Sequence, residues 1–225
     1  MRARIIGNLG YMLVAVLLAA AIVAVALVAP TEESMGHAQR ILYVHVAVAW
    51  LGMAAFLVMA AAGGMYLWRH DLAWDDWAQA ATELGWLCSA LTLVTGSLWA
   101  HAAWNTWWTW DPRLITSFIL WAGYSTCLLA RANLDDPRRR ARLGAVLAIV
   151  AALDVPWVFL ATRWFRGMHP ASPAMEPTMR AVLLVWVLGF TAMVVLLLVH
   201  RRAQLRLENI VADLEARNYT ASGQK

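Results

Sequence analysis

The chain has 225 residues, 62% hydrophobic and 14% charged, against about 45–50% and about 25% in soluble domains. With a mean hydropathy of +0.59 there is too little polar material to cover a water-facing surface, which excludes a soluble globular or disordered chain. The net charge of +4 comes from 17 Arg and the single Lys225 set against 14 acids; in so apolar a chain it reports loop topology, not nucleic-acid binding.

Six segments carry the roughly 20 mostly apolar residues that a membrane-crossing helix needs: 9–29, 41–68, 84–103, 113–132, 142–163 and 180–200. They predict a single polytopic domain over 1–225, an all-α integral membrane protein with six transmembrane helices. Arg2 and Arg4 precede the first segment as they would a signal peptide. Its apolar run of about 19 residues exceeds the roughly 7–15 of a signal core, so it reads as a retained helix. With the N-terminus inside, thirteen of the eighteen basic residues fall on the inner side and five on the outer. That bias makes both termini cytoplasmic and turns the loops at 30–40, 104–112 and 164–179 outward.

The tail 201–225 is then cytoplasmic. It mixes Leu205, Ile210, Val211 and Leu214 with charges, as an amphipathic helix on the inner surface does; a plain solubilising extension of the sixth helix fits equally. Cys88 and Cys127 lie in apolar runs and form neither a CxxC pair nor a zinc or disulfide framework.

Fourteen Trp are too many for anchorage alone, and five fall within the twelve residues Trp99–Trp110. On a helix, Trp104, Trp107 and Trp108 share one face, which predicts a short helix in the outer interface. Pro112 disfavours the α region for Asp111, so Asp111 is expected to cap the fourth helix with Pro112 at its first position. An aromatic belt at headgroup level would account for a single Trp; four in seven residues suit a flat apolar ligand, with indole N–H groups for its polar substituents. Arg113 can serve a ligand carboxylate or snorkel to lipid phosphates. Among the remaining Trp, Trp68, Trp74 and Trp77 fit an inner belt, and Trp86, Trp121, Trp157 and Trp186 fit helix packing.

Of six histidines, His37, His45, His101 and His169 lie toward the outer side. His45 sits about one turn into the second segment, where an imidazole on an apolar stretch calls for a reason. His169 follows the fifth. Alone, each is more often a hydrogen-bonded structural histidine; beside a tryptophan platform, the pair matches an iron porphyrin, which takes two axial donors and flat apolar walls. His101 is a spare donor, and Met168 and Met175 rank below it.

The stretch Trp104–Thr116 resembles the WWD signature of the haem-handling proteins of cytochrome c maturation. Tyr43-Val-His45 with Ala49-Trp50, and Trp164 with His169-Pro170, are similar to the histidine segments flanking that signature. Six helices in so short a chain look most like the CcmC family, over roughly 40–170. Departures are Asn105 where the family usually has Gly, Ile115 where Thr is frequent, and Ala47 where Pro is common.

The resemblance implies non-covalent, b-type haem held at the outer face of a bacterial cytoplasmic membrane, facing the periplasm. His45 and His169 would be the axial ligands to iron, and Trp104, Trp107, Trp108, Trp110, Asp111 and Arg113 the rest of the site. It also implies the ABC-transporter subunits CcmA and CcmB, the small subunit CcmD and the haem chaperone CcmE as partners, and delivery in place of catalysis. The chain has no GxxxxGK[ST] phosphate loop of its own.

A quinol-oxidising membrane b-type cytochrome is the alternative. It wants ligand pairs within helices, and only His45 lies well inside one. A haem-free scaffold or solute transporter is the third reading. Asp154, deep in the fifth segment and two residues before Pro156, is either functional or neutral and bonded locally. The outer loop 164–179, with Pro170, Pro173 and Pro177, could lid the site.

Overall fold

The structure, a computed structural model, describes residues 2–33, 35–165, 167–169 and 175–222. Its helices are α1 (Arg2–Val23), α2 (Ile41–Arg69), α3 (Leu72–Trp104), α4 (Pro112–Ala132), α5 (Pro137–Ala152), α6 (Asp154–Trp164) and α7 (Pro177–Ser222). A π turn over Ala24–Val28 ends α1, and a 3-10 turn over His37–Arg40 leads into α2. Five stretches are long and apolar enough to cross a membrane: Asn8–Val28, His37–Arg69, Pro112–Ala132, Pro137–Trp164 and Pro177–Tyr219. The chain is an all-α membrane protein. Thr92, Thr95, Ser97, Trp99 and His101 make α3 more polar than these five, and it runs along α2 through its most extensive helix–helix contact.

Local chemistry sets the helix ends. His70 closes α2 in the left-handed region with φ 57°. Asp71 then caps α3 by accepting from the backbone N–H of Ala73 at 2.9 Å, so α2 and α3 form a tight hairpin. Asp136 caps α5, accepting from the N–H groups of Arg138 and Arg139 at 2.8 Å each. The expected single helix over 142–163 is broken at Leu153. Pro156 has no N–H to offer the carbonyl of Ala152, four residues earlier, and its ring crowds that carbonyl; α5 therefore stops at Ala152.

The core lies where α2, α3, α4 and α5 meet. Phe56, Met59, Ala81, Tyr124, Cys127 and Ala148 are buried there, and both cysteines are free thiols. Glycines permit the closest approaches. A Cβ on Gly85 would overlap the ring of Tyr124, whose hydroxyl donates to the Gly52 carbonyl at 2.7 Å. At the far end of α4, Arg131 grips Asp75 of α3 through two bonds of 2.6 and 2.8 Å, with Gln79 as a third acceptor. Both charged side chains are at most 7% exposed.

The 46 residues of α7 run for roughly 69 Å at about 1.5 Å per residue, more than twice the roughly 30 Å hydrocarbon core of a bilayer. The tail is therefore a continuation of the last segment and not a separate surface helix. Its first turns dock on α3: Arg201 binds Glu83 at 2.5 Å, Asn209 donates to Asp76 at 2.8 Å, and Arg202 lies over Trp77. Leu207, Ile210, Val211 and Leu214 remain exposed.

Candidate functional site

A cavity of about 350 Å3 opens between α2, α3 and α4 at the end of the bundle that carries the tryptophan loop, within the size range of small-molecule sites. Leu42, His45, Val46, Ala49 and Trp50 line it from α2, at the i, i+3, i+4, i+7 and i+8 spacing of one helix face. Thr92, Gly96, Trp99 and Trp104 face it from α3, and Arg113, Leu114 and Ser117 from α4. His169, beyond α6, lines the same cavity. Six of the predicted residues are thus gathered in one place: His45, His169, Trp104, Trp107, Trp108 and Arg113.

The His45 imidazole is fixed on two sides. Its Nδ1 lies 3.1 Å from Thr95 Oγ1, and that hydroxyl gives its own proton to the Leu91 carbonyl at 2.6 Å. With that proton committed, the Thr95 oxygen accepts, so Nδ1 carries the imidazole proton and Nε2 keeps the lone pair. Gly96 provides the room: a Cβ there would lie 3.0 Å from His45 Cε1. A neutral imidazole with its outer nitrogen oriented in this way is the usual metal-binding form.

The tryptophan loop differs from the expected helix. Asn105 ends α3 with φ 53°, and 105–111 are irregular. Asparagine is among the few side chains that tolerate this left-handed region. Each indole is held by its own neighbour. Trp99 donates to Gln39 Oε1 at 3.3 Å and meets Trp104 edge-on at 5.0 Å. Trp107 stacks flat on His101, centroids 4.0 Å apart and planes within 7°. Trp108 packs edge-on against Trp110 and Phe118.

Asp111 and Trp110 fall outside the cavity lining. Asp111 caps α4 as expected, Oδ1 accepting from the Leu114 N–H at 3.0 Å, with Pro112 in the first turn. A Cβ on Gly167 would lie 3.2 Å from the Asp111 side chain, so the segment bearing His169 passes directly over this cap. Trp110 is 78% exposed and lines a neighbouring hollow. His101 acts through Trp107, and neither Met168 nor Met175 reaches the lining. Asp154 begins α6 away from the cavity; its Oδ2 is buried with no hydrogen-bond partner among the described residues. Arg166, Pro170 and Pro173 of the expected lid lie outside the described residues.

Thr95, Gly96 and Gln39 are the site residues that sequence reasoning missed. A signal was present, since Thr92, Thr95, Gly96 and Trp99 repeat at i, i+3, i+4 and i+7 within an apolar segment.

The donors and walls of the cavity have the chemistry that suits a flat apolar metal chelate. The His45 lone pair is oriented for a metal, and indoles supply the walls. The Trp108 Nε1–H is buried with no partner among the described residues, leaving a donor to be satisfied. Arg113 gives one N–H to the Val158 carbonyl at 2.9 Å and has further donors for a carboxylate. No cluster of three or more His, Cys, Asp or Glu forms among the described residues, so what the site offers is axial imidazole, not a protein cage.

Fold and site together define a polytopic helical membrane protein with an imidazole-bearing, indole-walled cavity at one end of its bundle. Residues 2–217 match the family model CcmC, described as Heme exporter protein C, and the chain belongs to that family. It is 37% identical to Heme exporter protein C of Bradyrhizobium diazoefficiens over 177 residues, 75% of this chain and 67% of the relative. It is 30% identical to the protein of the same name from Escherichia coli K12 over 194 residues, covering 84% and 77%. Identity to the Rhodobacter capsulatus protein is 31% over 144 residues, covering 64% and 60%.

Proposed function

We propose that this protein binds haem non-covalently at the outer face of the bacterial cytoplasmic membrane and hands it to the periplasmic chaperone CcmE for cytochrome c biogenesis. It does so as a transport and delivery subunit, not as an enzyme, alongside CcmA, CcmB and CcmD. Six crossings, counting α3, keep both termini cytoplasmic and turn the cavity toward the periplasm. His45 and His169 are the axial ligands, Trp104, Trp107 and Trp108 the walls, and Arg113 the carboxylate partner. Asp111 and Trp110 act from outside the cavity, the first by holding the start of α4.

One observation carries this proposal: His45 and His169 line one indole-walled cavity, and Thr95 leaves the His45 Nε2 lone pair available for iron. Bound haem supplies the iron that the two imidazoles hold. The chain's own residues fix the imidazole tautomer, keep water from the flat faces and neutralise a carboxylate.

The test is the absorption spectrum of the protein purified from haem-replete cells with its partners. A Soret band is expected, weakened by His45→Ala or His169→Ala and nearly abolished in the double variant. A colourless wild type overturns the proposal. Unchanged haem content in the double variant overturns the ligand assignment and leaves the platform.

A further inference from the structure

The cavity is not sealed at its tryptophan wall. On the other side of Trp107 and Trp108 lies a more open hollow of about 590 Å3, lined by Val94 and Leu98 of α3, Phe118 of α4, and Trp110. Leu93, Ser97, Trp107 and Trp108 line both spaces.

The geometry of α3 and α4 explains the arrangement. Their inner halves are fastened together: Arg131 holds Asp75, Tyr124 packs over Gly85, and Trp86 Nε1 donates to Ser125 Oγ at 3.0 Å. Toward the tryptophan loop, Trp107 and Trp108 line the cavity and the hollow alike. Trp107 is pinned to α3 by its stack on His101, while Trp108 is pinned to α4 by Phe118. Each indole is thus held by a different helix.

The hollow opens on the exposed apolar surface of the bundle. Phe118 belongs to a membrane-crossing stretch, α3 runs beside another, and Val94, Leu98, Phe118 and Trp110 are all exposed. Its walls are apolar apart from the Ser97 hydroxyl and the indole N–H groups.

We propose that the hollow is a lipid-side portal. A flat apolar tetrapyrrole passes edge-first between α3 and α4, Trp107 and Trp108 swinging apart as two leaves. The macrocycle then moves on into the cavity, where its metal reaches His45. This rests on the assignment of the cavity to haem.

The test uses the full chain in lipid nanodiscs, loaded with haemin from donor phosphatidylcholine vesicles and followed by stopped-flow Soret absorbance. Leu98→Trp fills the hollow from a position that does not line the cavity. It is expected to slow loading about tenfold, the rate equivalent of overpacking a path, with final occupancy and Soret position as in wild type. Phe118→Ala releases Trp108 and is expected to speed loading.

Wild-type rates in both variants overturn the portal and leave the haem site standing; the hollow is then a seat for a lipid tail. Lower occupancy or a shifted Soret band in Leu98→Trp also overturns it, by making the hollow belong to the binding site. Wild-type protein that takes up no haemin overturns portal and haem site together.

Discussion

Thr95→Val tests the tautomer of His45 with almost no change in side-chain shape. The substitution removes the oxygen that accepts from Nδ1 at 3.1 Å. Loss of the bond to the Leu91 carbonyl matters less, because that carbonyl also belongs to the helix ladder. A half-buried imidazole N–H left unpaired costs about 1–3 kcal/mol. The ring escapes that cost by moving its proton to Nε2, which removes the lone pair that iron needs. Second-shell changes of this kind typically lower metal affinity about 10–100-fold. The Thr92 backbone carbonyl lies beside the same imidazole and can take over some of the bond, so the expected loss is nearer tenfold. The assay is haemin titration of purified protein by Soret absorbance, paired with the reduction potential of the bound iron. Thr95→Ser keeps the oxygen and should restore both. Wild-type affinity and potential in Thr95→Val would refute the reasoning.

Gly96→Ala puts a Cβ 3.0 Å from His45 Cε1 while improving intrinsic helix propensity by about 1 kcal/mol; haem occupancy should fall with the thermal midpoint held or raised, checked by absorbance and thermal unfolding of one sample. Asp111→Ala should cost about 1 kcal/mol of cap stability and loosen the tryptophan loop, lowering midpoint and occupancy; Asp111→Asn should match wild type in both if the role is capping. Arg131→Met leaves Asp75 charged and buried, a loss of about 3–5 kcal/mol, and a thermal midpoint equal to wild type would refute the pairing. Burial, and next the charge of Asp75, hold the Asp76 carboxyl above its ordinary value. The folded state therefore favours the protonated form, and stability declines as pH climbs from the ordinary value of about 3.9 through the raised one. Asp76→Asn keeps the Asn209 contact and should stabilise the protein at pH 7 with no gain in acid, read from unfolding at both pH values.

Much of the architecture was legible in the sequence because membrane helices announce themselves by composition. The Asp111-Pro112 start of α4 was legible because capping is local chemistry. The break at Leu153 was missed because hydropathy ran on through Pro156, although the missing N–H was visible. The tryptophan loop was misread because Trp104, Trp107 and Trp108 fit a helical spacing, while the left-handed Asn105 cut it short. His45 stood out as a polar residue in an apolar run; its partner Thr95 did not, because a hydroxyl bonded to its own helix barely perturbs such a run. The Arg131–Asp75 clamp joins residues 56 positions apart, and only folding brings them together. In the sequence Arg131 was one more basic residue on the inner side.

The clamp also sets how much of α4 is free to move. Helix α4 is fastened from Arg131 as far as Tyr124, and Phe118 stands six residues beyond Tyr124, about 9 Å along the helix axis. A bend of roughly 20° beyond Tyr124 moves Phe118 by about 3 Å, close to one carbon–carbon contact distance. Parting Trp108 from Trp107 therefore asks α4 to bend above its fastened half, not to tilt as a rigid rod about Arg131.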